Sequence, residues 1–420
     1  MRFVSTAGKA PEASLKEALF AGPAPDGGLY VPERLPTIAP PVGGSFGDTA
    51  FAVARALFSD DITEDVLEPI VRESLDFDLP LVPLGDGDGL HSLELFHGPT
   101  HAFKDVGARF MARLMLHFLD REATVLVATS GDTGSAVAHA FFGLDAIRVV
   151  VLFPRGKVSE LQRRLFTTLG GNVSSLSVDG TFDDCQRLVK QAFAERDLQG
   201  LVSANSINVG RLLPQTFYYF HLYAQLDASA RGSLDVCTPS GNFGNLTAGL
   251  MAKRMGLPIS QFIAATNVND IVPAYLKTGA FEPRPSIETL SNAMDVGNPS
   301  NFARMLWLYD GSVEAMRRDV VGRAYTDEQT RETIQAVHRR LGYVLDPHSA
   351  IGYLGASESQ AATRVFLATA HPAKFRETVE PLINDKVPLP PAIQESATRP
   401  EYVSAMSADY KSLKEFLTSS

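Results

Sequence analysis

Apolar positions along this chain change their rhythm near residue 120. Before that point the pattern is helical at 15–20 and 48–74, with Pro- and Gly-rich stretches at 21–41 and 85–89 around the second segment. Beyond it, short β-rich runs alternate with helical segments. The runs are TVLVAT (124–129), IRVVVLF (147–153), VSSLSV (173–178), LVSANS (201–206), LDVCTP (234–239), FIAAT (262–266) and RVFLAT (364–369). Several are apolar without interruption, as strands covered on both faces of a sheet must be. Strands spaced by helices predict βαβ units and a parallel sheet, an α/β fold. From His371 the pattern turns helical again and closes in a polar tail.

Between the two regimes lies HGPTHAFKDVGARF, residues 97–110. Gly98-Pro99 breaks the chain, and from Phe103 the residues are helix-compatible and apolar around most of the circumference (Phe103, Val106, Phe110, Met111, Leu114, Met115, Phe118). Such a helix is expected to be buried. Lys104 therefore sits near the start of a buried helix, where desolvation and the positive end of the helix dipole disfavour an ammonium. A neutral amine suits carbonyl chemistry, which makes Lys104 a candidate Schiff-base lysine. The same position also suits a lysine that snorkels out from a helix start.

Composition narrows the class. The 420 residues are 45% hydrophobic and 20% charged, ordinary for a globular protein of two or three domains. A formal charge of −10, with no basic run, argues against nucleic acid as the main partner. The two cysteines, Cys185 and Cys237, form no CxxC, and no His cluster has metal spacing, so neither a disulfide framework nor a metal site is expected. The first residues lack the apolar core of a signal peptide, and the longest apolar run, near 110–119, is too short to span a bilayer. A cytoplasmic enzyme without membrane attachment is the expectation.

In an open parallel sheet, ligands bind beyond the carboxyl ends of the strands. After the run at 124–129 comes TSGDTGSA, where the hydroxyls of Ser130, Thr133 and Ser135 lie among Gly131 and Gly134 ahead of an Ala-rich helix. This suits a carboxylate at a helix N-terminus, although one Ser or Thr there is explained by an ordinary N-cap. After 234–239 comes Ser240-Gly241-Asn242-Phe243-Gly244-Asn245, a turn suited to wrap a phosphate in backbone N–H groups. It is neither a Walker A loop nor a GxGxxG fingerprint, and an ordinary βα turn has a similar composition. The run at 364–369 ends in Thr369, a strand-end hydroxyl that caps an edge or meets a heterocycle nitrogen. Lys157, Asn208 and Arg211 are further strand-end groups that read equally as loop surface or helix caps. One ligand would use all of these features. An aldehyde cofactor with a phosphate tail needs a lysine, a phosphate cup, a ring-nitrogen partner and a site for the carboxylate of the amino acid it activates. Pyridoxal 5'-phosphate has those requirements.

The phrases HGPTHAFKD, ATSGDTGSA, NSIN, TPSGNFGN and TAHPAKF, with STAGKAPEASLKEAL and DGGLYVPE near the start, resemble the threonine synthase family. The likeness is to its bacterial and fungal branch with a long N-terminal region, and it runs in order from about Val4 to Phe375. The resemblance implies the fold type II pyridoxal-phosphate architecture (tryptophan synthase β-like). On that basis residues 1–95 form an N-terminal domain, 96–104 with 206–420 a large cofactor-binding domain, and 105–205 a small mobile α/β domain. It also implies conversion of O-phospho-L-homoserine and water to L-threonine and phosphate by elimination and replacement across the β and γ carbons, in a monomer or homodimer. Carried over by position, Lys104 holds the Schiff base and moves the protons. Gly241, Asn242, Phe243 and Gly244 hold the cofactor phosphate, and Thr369 meets the pyridine nitrogen. Ser130, Asp132 and Thr133 meet the substrate carboxylate or the cofactor's phenolic oxygen, and Lys157, Asn208 and Arg211 the substrate phosphate. Two residues depart from the family pattern beside these contacts. His101 stands where relatives commonly have an apolar residue, and Val209 where an aromatic often follows NSIN. The rival readings are a phospho-lyase that releases 2-oxobutyrate, and a colourless phosphate-ligand-binding protein without catalysis.

Overall fold

The runs that are apolar without a break become the inner strands of two sheets. In the computed structural model, which describes every residue except Asp86, Ser130, Arg196, Gln199 and Ser420, all seven expected runs are strands or begin as strands. The larger sheet has six strands in the order Val320–Ala324, Gln261–Thr266, Leu234–Pro239, Thr363–Ala368, Leu90–Glu94, Leu81–Pro83. All neighbours are parallel except the last pair. Its centre is Leu234–Pro239, buried at every position, with Cys237 in register with Ile263 on one side and Phe366 on the other. The second sheet is parallel throughout, in the order Val403–Ser407, Val173–Asp179, Ile147–Pro154, Ala123–Ala128, Leu201–Val202. A small antiparallel sheet, Ala13–Ser14, Arg2–Ser5 and Tyr30–Pro32, forms the N-terminal part.

Three expectations change. The helical pattern at 48–74 is two helices, Phe46–Phe58 and Glu64–Ser74. The polar stretch Ser59-Asp60-Asp61 ends the first, and Asp61 is drawn off to the N-terminal ammonium at 2.6 Å. The run at 201–206 stays extended only over Leu201–Val202, because the Asn208 side chain donates to Ser203 O at 2.9 Å and folds the rest into a turn. Sheet membership also crosses the boundaries expected from chain position. Leu81–Pro83 and Leu90–Glu94 precede residue 95 yet belong to the large sheet. Val403–Ser407, expected with the large domain, extends the smaller sheet in register with Val173–Asp179. The helix that follows it buries Leu413 in the same apolar cluster as Leu188 and Met406.

The lysine segment lies where the sheets meet. Residues 95–103 are stitched to the carboxyl end of strand Thr363–Ala368, with Leu95 N donating to Ala368 O and Phe103 N to Thr369 O, both at 2.9 Å. The helix Lys104–Phe118 then runs away from that edge, packed against helix Asp132–Phe141 and the short helix Val209–Leu212. It buries Val106, Phe110, Met111, Leu114 and Met115, as its apolar circumference requires.

Candidate active site

Gly98 allows the lysine loop to close. A Cβ there would stand 2.5 Å from Asp105 Oδ2. With no side chain in the way, Thr100 donates its N–H to Asp105 Oδ2 at 2.8 Å and its hydroxyl to Asp105 Oδ1 at 2.6 Å. Burial pushes the Asp105 carboxyl up to about 6, against those two bonds. The loop delivers Lys104 as the first residue of its helix, with Nζ 5.3 Å from the centre of the Phe103 ring. Burial lowers the Lys104 amine to about 8. Asp132 opposes that shift, Lys374 and Arg211 add to it, and Asp105 opposes it more weakly. The residue keeps some accessible surface, but its amine lies among protein charges rather than in water.

The glycine loop after Ala123–Ala128 is organised by Thr129. Its hydroxyl donates to Gly131 O at 2.9 Å and accepts from Gly134 N at 2.9 Å. Asp132 opens the helix Asp132–Phe141, and Thr133 follows it half-buried. Ser130, predicted to bind substrate, lies outside the described residues. Burial alone would raise the Asp132 carboxyl. The cations of Lys374 and then Lys104 overcome it and hold Asp132 at about 2.

The second loop leaves strand Leu234–Pro239 beside the strand that leads to Thr369. Phe243 adopts φ 59° at the N-cap of helix Gly244–Arg254. Gly241 permits a close approach, since a Cβ there would stand 2.7 Å from Met294 Cα and 2.9 Å from Ala293 O. Asn242 pins the turn at both ends of its amide, donating to Ser206 Oγ and accepting from Ser300 N, each at 2.6 Å. Among the described residues, none accepts a hydrogen bond from the N–H groups of Gly241, Asn242, Phe243 or Gly244. Unpaired donors in a turn that feeds a helix N-terminus are the group an anion requires. A phosphorylated cofactor therefore fits this turn.

Arg211 is 4% exposed and donates Nη1 to Ala204 O at 2.9 Å, while its buried Nε has no hydrogen-bond partner among the described residues. Burial lowers it to about 10. The lysine helix crosses this residue closely, and a Cβ on Gly107 would stand 2.6 Å from Arg211 O. Gln215, which donates to Arg211 O at 2.9 Å, lies beside Gly244, so the lysine helix and the phosphate turn share a neighbour. Thr369 is buried at the carboxyl end of the inner strand Thr363–Ala368, one residue past it. Asn208 is fully buried, with its amide donating to Leu19 O and Ser203 O and accepting from Gly210 N. Lys157 is exposed in the loop after Ile147–Pro154.

His101 holds a left-handed backbone, φ 54°, and its carbonyl accepts from His371 N at 3.1 Å. Burial lowers both rings to about 4, so the pair is neutral at ordinary pH. Val209 opens the helix Val209–Leu212 and is buried. A cavity of about 600 Å³ along Val320–Ala324, lined by Asp270, Lys277, Arg317 and Arg323 among others, contains none of the predicted residues.

Sequence reasoning missed Lys374. It lies in the turn Pro372–Phe375, its ammonium 2.5 Å from Asp132 Oδ1 and donating to Thr100 O at 2.7 Å. The strand-end rule that selected Thr369 would have reached it five residues on. Among the described residues, no group of His, Cys, Asp and Glu is arranged to hold a metal ion, and no helix is long and apolar enough to cross a membrane.

A lysine at the junction of two parallel sheets, an anion-binding turn at one strand end and a hydroxyl at the next define a fold type II pyridoxal-phosphate enzyme. Residues 80–367 match the family described as pyridoxal-phosphate dependent enzyme, residues 2–75 the threonine synthase N terminus and 349–417 the threonine synthase C-terminal family. The chain is 43% identical over 417 residues to the threonine synthase of Escherichia coli (strain K12), covering 97% of this chain and 96% of that one. The crystal structure of the E. coli enzyme superposes with a TM-score of 0.92 at 42% identity, covering 100% of both chains. That of pyridoxal-phosphate-bound threonine synthase from Brucella melitensis gives 0.95 at 38%, covering 99% of this chain and 98% of that one. The chain belongs to the threonine synthase family of pyridoxal-phosphate-dependent lyases.

Proposed function

We propose that this enzyme converts O-phospho-L-homoserine and water to L-threonine and phosphate in the cytoplasm. The observation that carries the reading is Lys104, an amine lowered toward neutrality by burial, at the junction of the two sheets and among Asp132, Lys374 and Arg211. Its two free, buried cysteines suit a reducing compartment. When bound, pyridoxal phosphate supplies the electron sink that makes the substrate Cα proton removable near neutral pH. The remaining work falls to the chain. Lys104 Nζ would hold the cofactor aldehyde and, as a free amine, would accept the Cα proton. Gly241, Asn242, Phe243 and Gly244 hold the cofactor phosphate. Thr369, an uncharged hydroxyl, would meet the ring nitrogen without forcing a proton onto it. Ser130 and Thr133 orient the substrate carboxylate or the phenolic oxygen, and Asp132 contributes its backbone N–H at the start of the helix Asp132–Phe141, because its carboxylate is held by Lys374. For the substrate phosphate, the strongest support is the buried Nε of Arg211, which has no hydrogen-bond partner among the described residues. Lys157 is the exposed cation of the group, and Asn208 acts by shaping the turn that presents Arg211.

Product analysis on O-phospho-L-homoserine tests the reading. Threonine and phosphate in equal amounts are expected. Release of 2-oxobutyrate and ammonia as the main products would assign the chain to phospho-lyase chemistry, and a colourless protein with no product would exclude both.

A further inference from the structure

Lys374 has no role in the steps above, yet its charge is fully enclosed at the site. Its side chain is 0% exposed and that of its partner Asp132 is 4% exposed. The two come from different sheets. Asp132 begins the helix that follows the strand Ala123–Ala128 of the smaller sheet. Lys374 lies just past the strand Thr363–Ala368 of the larger one. Lys374 also donates to Thr100 O, and Thr100 in turn binds Asp105 through its N–H and hydroxyl. On the other side Asp132 Oδ1 accepts from Gln162 Nε2 at 3.1 Å, and Gln162 Oε1 accepts from Ser159 Oγ at 3.0 Å. A continuous polar chain thus runs from the lysine loop, through Lys374 and Asp132, into the helix Glu160–Thr167 of the smaller sheet.

We propose that Lys374 and Asp132 form an interdomain latch that clamps the glycine loop onto the lysine loop and cancels, as a pair, the field each charge alone would impose on Lys104. The proposal rests on the reading above only for the attachment of the cofactor at Lys104. The charged groups around that amine are Asp132, Lys374 and Arg211 from three packed elements and Asp105 from its own helix. Asp132 faces Lys374, Lys104 and His348. Buried ion pairs of this kind add little net stability compared with an apolar pair. Their use here is electrostatic and geometric. Removing the cation leaves a bare carboxylate that favours a proton on the Lys104 nitrogen, and removing the anion leaves a bare ammonium that disfavours it.

Lys374 is accordingly a positioning residue, and opposite signs are its signature. The experiment is a pH titration of the visible absorbance band of the holoenzyme, which reports the proton on the Lys104 nitrogen. It is run on wild type, K374M, D132N and the double variant. The midpoint should move up by about one unit in K374M and down by about one unit in D132N. In the double variant it should return close to the wild-type value. Movement of both single variants in one direction, or of neither, would overturn the proposal. Each single variant leaves one buried charge unpaired and loses stability. If neither folds, the double variant decides, a wild-type midpoint supporting the latch and a displacement of a unit or more overturning it. A wild-type protein with no visible band would remove the cofactor reading itself, an outcome distinct from a band that titrates identically in every variant.

Discussion

Replacing Gly241 by Ala asks whether the turn at 241–244 binds a phosphate. The added Cβ would meet Met294 Cα at 2.7 Å, Ala293 O at 2.9 Å and Val296 Cγ2 at 3.1 Å. Two of those three atoms are backbone, so no side-chain rotation relieves the clash and the turn itself must shift. Overpacking of this kind costs about 1–3 kcal/mol. If that cost falls on the bound geometry of the turn, cofactor affinity drops by about 5- to 150-fold, since every 1.4 kcal/mol is tenfold. The assay titrates apoenzyme with pyridoxal 5'-phosphate and separately with pyridoxal, following the visible band. Only the phosphorylated form should lose affinity, because only it uses the turn. Gly232→Ala is the control, with nothing within 4 Å of its added Cβ and no positive φ. Equal losses for both aldehydes, or none for either, would refute the assignment of the turn.

Two further outcomes follow from buried charge. Burial lowers His101, His139, His221 and His371 to about 4 each, so all four are neutral in the native protein at pH 7. Below pH 6.5 the unfolded chain binds protons that the native one does not, and stability falls as pH drops toward 4, by at most about 1.4 kcal/mol per pH unit for each ring. A Tm that stays flat between pH 7 and 5 would contradict this. Arg304, fully buried, donates to Tyr30 O, Ile207 O and Asn301 Oδ1 and so ties the N-terminal sheet to the turn before Arg211. Arg304→Met leaves those acceptors without donors and should cost about 3 kcal/mol or more, read by denaturant unfolding. A loss under about 0.5 kcal/mol would show the tie to be idle.

What could be read along the chain depended on burial. Strands inside the two sheets carry unbroken apolar runs, as in Ile147–Pro154 and Leu234–Pro239, and were legible for that reason. Edge strands were not. Val403–Ser407 buries only Met406, and Val320–Ala324 is exposed at its last two positions, so neither needs an apolar pattern. Lys104 and the turn at 241–244 stood out because glycines and a breaker mark places where the backbone must approach something. Lys374 carries no such mark. Its importance arises from a contact with Asp132 that exists only once the two sheets meet. Asn208 illustrates the reverse case, a polar residue in a suggestive loop whose amide is used entirely to hold the backbone around it.

Reduction of the holoenzyme with borohydride, followed by peptide mapping, tests the central claim most directly. The site offers two enclosed amines, Lys104 and Lys374; burial lowers the first to about 8, and the second is bound to a carboxylate. The reduced cofactor should be found on the peptide containing Lys104, with the visible band lost in step. Recovery of the label on Lys374, or on any surface lysine, would contradict the account.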